Sequence, residues 1–296
     1  MDTQNYYFAR MKMAFPDIEV PEHWEQFKKE MPYEFELRLG ISSEKIPVEE
    51  KDVQKYGRAS VMPWRMDGET EEGWMFVSRH SIWPDPIPKD FSFDMIRHEY
   101  FGGLYASKDY RRCIYYDTSY DRNTISNLHG VVEAALPTIG GSIVHASCIK
   151  HQGKAILFCG PSGMGKSTQA KLWEQTYDCY MLSSDAPAVF PNEDGKGAIA
   201  YGMPWDGSDQ IMLQEDAPVA AVIELNQAKE NRIRPMSEQE AFQRMMQQGH
   251  TPLWDQETMF KEMAVMKKIA KAVPFYHLDC LPNQDAARLV HKTIFG

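Results

Sequence analysis

The chain has 296 residues, 43% of them hydrophobic and 25% charged, with a net charge of −10 and no basic block. Such usage excludes a disordered or collagen-like polymer and leaves room for two domains of ordinary size. An acidic chain without a basic face is a poor partner for phosphate backbones, so nucleic-acid binding is not expected.

No apolar stretch approaches the ~20 residues of a membrane helix, and the first residues lack a signal-peptide core, so no membrane partner is expected. The five cysteines (Cys113, Cys148, Cys159, Cys179, Cys280) are odd in number and never spaced as Cys-x-x-Cys. That pattern favours reduced thiols in a cytoplasmic protein over a disulfide framework or a zinc ribbon.

In chain order, residues 1–130 carry aromatics, prolines and short alternating runs. A helix is predicted over 21–29 and strands over 35–39, 74–77 and 113–116, with the proline-dense joint at 83–88 breaking any helix or central strand. We read 1–130 as a smaller, mainly β (α+β) N-terminal domain. It holds no catalytic pattern, so substrate selection is assigned to it by elimination. Residues 131–296 read differently. A helix over 131–136 ends at Pro137, strands follow at 142–149 and 154–159, and a helix opens at Lys166. Further strands are predicted at 179–182, 198–201 and 219–225. Three helices then follow, with Ser237 (capping box with Glu240), Asp255 and Asn283 as N-caps. Strands alternating with helices predict an α/β domain whose sheet is at least partly parallel.

One motif carries chemistry. Gly160-Pro161-Ser162-Gly163-Met164-Gly165-Lys166-Ser167 fits G-x-x-x-x-G-K-[ST], the phosphate-binding P-loop. Gly160 and Gly165 permit backbone conformations that turn amide N–H groups inward as a nest for phosphate oxygens. Lys166 can reach the β- and γ-phosphates, the Ser167 hydroxyl can ligate Mg²⁺, and the following helix aims its N-terminus at the anion. The motif sits as it must, between an apolar strand and a helix.

A Mg²⁺–nucleotide site also needs a carboxylate, usually at the end of a neighbouring strand. Asp185 has that place, behind the apolar run 179–182; the alternative is a capping aspartate. His145, expected on the strand before the P-loop strand, is the best histidine candidate, against a purely structural histidine. Asp206 and Asp209 are further acidic candidates, against solvated turn residues. Met259, Met263 and Met266, with Ile269 and Val273, have the spacing of a buried helix face.

His145-Ala146-Ser147, Gly153-Lys154, the segment from Gly160 to Thr168 and Ser183-Ser184-Asp185 together resemble the C-terminal catalytic domain of HPr kinase/phosphorylase. More closely, the chain resembles kinase-like bacterial proteins related to it, some of which accompany peptide-modifying gene clusters. These share a P-loop of the phosphoenolpyruvate carboxykinase type. Tyr201-Gly202-Met203-Pro204-Trp205 also matches such relatives, and the resemblance covers about 140–235.

It implies an α/β P-loop kinase domain binding ATP on Gly160, Pro161, Ser162, Gly163, Met164, Gly165, Lys166, Ser167 and Thr168, with Mg²⁺ at Ser167 and Asp185. Asp185 falls where the family activates the acceptor hydroxyl, and His145 where it keeps a histidine near the phosphates. Catalysis would then rest on Asp185, His145 and Lys166, with a peptide, protein or small molecule as the hydroxyl acceptor. Hexamers among the resembled kinases leave a homo-oligomer open.

Two departures stand out. Ser184 replaces the first of two acidic residues, and Ser208 stands where relatives often have lysine. The Glu-x-Arg-Gly signature of phosphorylase activity is missing, so that activity is not expected. The leading expectation is an ATP- and Mg²⁺-dependent phosphotransferase, and the alternative is a nucleotide-binding sensor without turnover.

Overall fold

The computed structural model describes residues 3–16, 20–42, 44, 54–56, 59–66, 70, 72–82, 88, 90, 92, 97–116, 122–205 and 211–296. The expected break at 83–88, apart from Pro88, and the candidates Asp206, Ser208 and Asp209 lie outside these residues.

Eight strands build the first sheet: β1 (Thr3–Phe8), β2 (Met11–Pro16), β3 (Phe35–Ser42), β4 (Gln54–Tyr56), β5 (Ala59–Trp64), β6 (Gly73–Ile82), β7 (Arg97–Ala106) and β8 (Arg112–Tyr116), in the order β1-β2-β3-β8-β7-β6-β5-β4. The pairs β2–β3 and β3–β8 are parallel and the other pairs antiparallel. A parallel pair needs a crossover, and the segment between β2 and β3 supplies one. Its helix, expected over 21–29, is 3₁₀ and spans Glu22–Lys28. The reason is its spacing: Trp24 and Phe27 are three apart, which aligns them on one face of a helix with three residues per turn. Both side chains are fully buried.

The second sheet has nine strands: β9 (Ser142–Ile143), β10 (Ala146–His151), β11 (Lys154–Cys159), β12 (Cys179–Ser183), β13 (Ala188–Pro191), β14 (Ala198–Tyr201), β15 (Asp216–Gln227), β16 (Arg232–Pro235) and β17 (Phe275–Cys280). Their order is β12-β10-β11-β15-β14-β13-β9, with β17 beside β15 and β16 beside β17. Long β15 serves two neighbourhoods: its first residues pair antiparallel with β14, and its later ones lie parallel to both β11 and β17. The expected partly parallel sheet is therefore present.

Helices α1 (Arg122–Ala135), α2 (Lys166–Thr176), α3 (Glu238–Gln248), α4 (Gln256–Ala272) and α5 (Gln284–Phe295) complete the fold. Side chains alternate across a strand, and β11 shows the consequence. Ala155, Leu157 and Cys159 pack in one cluster with α3 and α4, while Ile156 and Phe158 pack in another with α2 and α5. Helices on both faces explain why 155–159 reads as a continuous apolar run. Met266 and Ile269 of α4 are core, as their spacing predicts, while Met259 and Met263 are half-buried. Ser237, Asp255 and Asn283 each accept a backbone hydrogen bond at the start of their helix.

One apolar cluster joins the two sheets. It contains Phe8, Trp24 and Phe27 from the first part, Leu128, Val131 and Val132 of α1, and Met203, Trp205 and Met212 from the second. Helix α1 starts well before the expected helix at 131–136 and runs through residue 130, where the sequence changes texture. At the same junction, Ala9 and Arg10 link β1 to β2 with φ of 46° and 62°. A two-residue hairpin wants left-handed residues, although neither of these is glycine. Arg10 is held there from outside the hairpin: its guanidinium stands 4.7 Å from the Phe190 ring and its Nε donates to the Tyr201 hydroxyl at 3.3 Å.

Candidate functional site

The segment 142–149 reads as one strand, yet the chain breaks it after Ile143. Val144 bridges to Gly249, the His145 amide donates to the Gln248 carbonyl (2.8 Å), and the Ala146 amide donates to the Asp185 carbonyl (2.9 Å). These contacts leave the ladder of one sheet edge for the ends of α3 and β12. His145 therefore sits in a gap between β9 and β10, not on a strand.

Antiparallel pairing then gathers the site. Ala146, at the start of β10, pairs with Cys159 at the end of β11, and Cys148 pairs with Ser183 at the end of β12. The start of one strand and the ends of two others thus share one edge, bringing His145, Gly160 and Asp185 together. Asp185 was expected behind a strand adjacent to the loop strand. Instead β10 lies between β11 and β12, and it is His145 that stands next to the loop.

The loop itself has glycine where its conformation requires it: φ is 148° at Gly160, 79° at Gly163 and 102° at Gly165. These values lie in the region L residues avoid. Ser162 and Gly163 are exposed, Met164 half-buried, Ser167 half-buried in the first turn of α2, and Thr168 exposed. Helix α2 opens on Gly165 without any side-chain cap. The first amides of a helix have no intrahelical acceptor, and no side chain caps them here.

Lys166 Nζ lies 3.0 Å from the Gly160 carbonyl oxygen, 3.5 Å from that of Pro161 and 3.0 Å from His145 Nε2. His145 Nδ1 lies 3.0 Å from Asp185 Oδ1. An ammonium can only donate, so Nε2 accepts and the imidazole proton belongs on Nδ1, donated to Asp185. Burial lowers the Lys166 pKa, and the Asp185 charge works against that. The hydrogen bond from His145, helped by the Lys166 and His250 charges, holds Asp185 below the usual carboxylate range although burial opposes it. Asp185 is a firmly ionised acceptor.

Other groups beside the loop are committed elsewhere. Burial pushes the Cys159 thiol up to about 12, which leaves it an inert neutral side chain. Glu224, in register with Cys159 on β15, accepts from Arg244 Nε (2.7 Å) and bonds His277 Nδ1 (2.8 Å). Ser184 is buried, and a hydroxyl costs less to bury there than a carboxylate would.

Sequence reasoning missed a second group beyond His145. The bridge between Val144 and Gly249 sets His250 beside His145, with ring centroids 6.3 Å apart. His250 Nδ1 is in close contact with Glu133 Oε1, and His129 Nε2 lies 3.4 Å from the same oxygen. Trp205 stacks on His129 at 4.8 Å and 19°. Burial lowers the His129 pKa while the Glu133 charge raises it. The i,i+4 spacing of His129 and Glu133 was a usable signal, but nothing local marks His250 as their partner.

Behind this group, Glu262 of α4 is 1% exposed and accepts the Ser142 hydroxyl at 2.6 Å. Burial, with Glu133 adding to it, pushes its carboxyl up to about 8. The folded chain thus holds a proton there that the unfolded chain releases above its ordinary value of 4.5. Stability from this group is complete at acid pH and is lost as pH rises to about 8, a loss of up to ~5 kcal/mol. With EDTA present, urea unfolding at pH 5 and pH 9 is expected to show Glu262→Gln gaining several kcal/mol on the wild type between the two. A constant difference contradicts the assignment.

The family model described as SynChlorMet cassette protein ScmC matches residues 121–282, more than half of the chain. The chain belongs to the ScmC family. The matched span covers α1, the loop, Asp185, His250 and all nine strands of the second sheet, so both groups described above lie within the ScmC region. A solved structure described as the Hpr(Ser) kinase/phosphatase from Coxiella burnetii is similar over 51% of this chain and 91% of that one, at 10% identity and a TM-score of 0.28. No curated protein matches the sequence. Among the described residues no helix is long and apolar enough to cross a membrane, and the five cysteines are free.

Proposed function

We propose that this ScmC-family chain is an ATP- and Mg²⁺-dependent phosphotransferase that moves the γ-phosphate to a hydroxyl acceptor. The observation that carries this reading is the chain of contacts Lys166–His145–Asp185 at the uncapped start of α2. A cation, a proton-holding imidazole and an ionised carboxylate stand together where a helix end favours phosphate.

The donor set fits the metal. Ser167 and Asp185 offer hard oxygen ligands of the kind Mg²⁺ prefers. When bound, Mg²⁺ supplies charge neutralisation between the β- and γ-phosphates. The loop amides and the N-terminus of α2 bind the phosphates, and Lys166 exchanges its carbonyl contacts for phosphate oxygens. Asp185 accepts a hydrogen bond from the acceptor hydroxyl and aligns it. Because Asp185 is held well ionised, orientation is a larger part of its role than proton removal. His145 fixes the carboxylate's direction through Nδ1–H. Positioning of this kind supplies most of the catalysis in phosphoryl transfer. We further propose that the first sheet selects the acceptor, and that the chain works in a reducing, cytoplasmic setting consistent with its free thiols.

Calorimetry of ATP with and without Mg²⁺, paired with γ-phosphate release to water, tests the reading. Asp185→Asn is expected to bind ATP, to lose the Mg²⁺ dependence of binding, and to lose transfer by about 100-fold or more. Transfer at the wild-type rate in that variant overturns the role of Asp185. The alternative, a nucleotide sensor, is favoured by Ser184 leaving a single carboxylate at the site. ATP binding indifferent to Mg²⁺, with no turnover, would select it.

A further inference from the structure

We propose that His129, Glu133 and His250 form a binding site for one divalent transition-metal ion of the zinc class, separate from the phosphate loop. His129 and Glu133 lie one turn apart on α1, and His250 follows the end of α3. All three are half-buried, and their donor atoms lie within 4.8 Å of one another. Both imidazoles present a nitrogen to the same oxygen, Glu133 Oε1. His129 Nε2 is shielded from solvent and has no hydrogen-bond partner. A buried nitrogen lone pair or N–H left in that condition costs stability, and a cation among the three donors gives the lone pair its partner.

Ligands at about 2.0–2.1 Å in tetrahedral geometry stand roughly 3.4 Å apart. No gap here exceeds 4.8 Å, so none has to close by more than about 1.4 Å, within reach of small side-chain torsions. Trp205, stacked on His129, limits that ring to one plane, the kind of support that orients metal ligands. Two imidazoles and one carboxylate suit Zn²⁺, Co²⁺ or Fe²⁺ and not Mg²⁺, which takes oxygen ligands. Charge favours a dication too: Glu133 is within the set, and the Asp185 charge acts on both His129 and His250. Three protein ligands leave at least one position for water or a substrate oxygen. That position lies in the neighbourhood of His145, whose ring is 6.3 Å from that of His250.

The test is titration of the EDTA-stripped, full-length chain with Co²⁺, read by visible absorption and calorimetry. The expected result is one equivalent bound with the intense spectrum of a four- or five-coordinate site containing nitrogen. Zn²⁺ should displace it, and excess Mg²⁺ with ATP should not. His129→Ala and His250→Ala are each expected to weaken binding by about 100-fold or more, and Glu133→Gln by about 10-fold. His23→Ala, on the 3₁₀ segment, should leave it unchanged. Unchanged affinity in the two site histidine variants, displacement by Mg²⁺, or no binding at all overturns the proposal. If a variant fails to fold, the wild-type spectrum still decides: the weak bands of an all-oxygen octahedral ion refute the site.

Discussion

Lys166→Ala is expected to weaken ATP binding by roughly 10- to 100-fold and to bring phosphate transfer below detection. The lower bound follows from the 1.5–3 kcal/mol that a charge-assisted hydrogen bond contributes. Lys166 is 9% exposed, so the ammonium has already lost most of its water before any phosphate arrives. That cost is met by the Gly160 carbonyl and His145 Nε2, each at 3.0 Å. Phosphate oxygens can replace those partners without a new desolvation penalty. Lys166→Arg is not expected to rescue, because a planar fork does not fit a slot shaped for one compact ammonium. Calorimetry with ATP and ADP checks both variants. Wild-type affinity for ATP in Lys166→Ala would show that the loop persists only as an element of the fold.

The second large effect concerns stability. Asp255 is 2% exposed and caps α4. Its carboxylate accepts from the Tyr110 hydroxyl at 2.9 Å and the Thr258 hydroxyl at 2.8 Å, with Lys108 Nζ at 3.4 Å. Tyr110 and Lys108 belong to the turn between β7 and β8, so one side chain ties the first sheet to a helix of the second. Burial opposes its ionisation, but the Thr258 and Tyr110 hydrogen bonds and the Lys108 charge lower its pKa overall. Asp255→Ala leaves a fully buried tyrosine hydroxyl without its acceptor and α4 without its cap. The expected loss is about 3–5 kcal/mol by denaturant unfolding. Asp255→Asn keeps an acceptor and a cap and should lose much less. Equal losses in the two variants would mean that the charge, and not the geometry of the junction, is what matters.

Much of the local structure was readable because its signals are local. Gly160, Gly165 and Lys166 announce the loop through conformational need and charge. The capping roles of Ser237, Asp255 and Asn283 follow from side chains that reach their own backbone. The run 154–159 announces a buried strand because both its faces are covered. Strands such as β2 and β17 escaped notice because what makes them strands is pairing with distant segments: Met13 lies opposite Leu37, and Leu278 opposite Leu225. The 3₁₀ form of Glu22–Lys28 was likewise decided by the core that Trp24 and Phe27 enter.

By itself the sequence determined that a glycine-rich loop of the pattern G-x-x-x-x-G-K-[ST] sits between a strand and a helix in an acidic α/β chain, and it named Asp185 and His145 as candidates beside that loop. Those are consequences of residue type and short spacing. Tertiary structure alone decided that His145 falls in a break between two strands, where the amides of Val144, His145 and Ala146 donate to the carbonyls of Pro187, Gln248 and Asp185. It also decided that Lys166, His145 and Asp185 form a continuous chain, and that His250 meets His129 and Glu133 across more than 100 residues. The physical reason is common to all of these. Antiparallel pairing brings strand starts and strand ends to one edge, and backbone bonds between loops set the neighbours there. Neither leaves a periodic trace in the sequence.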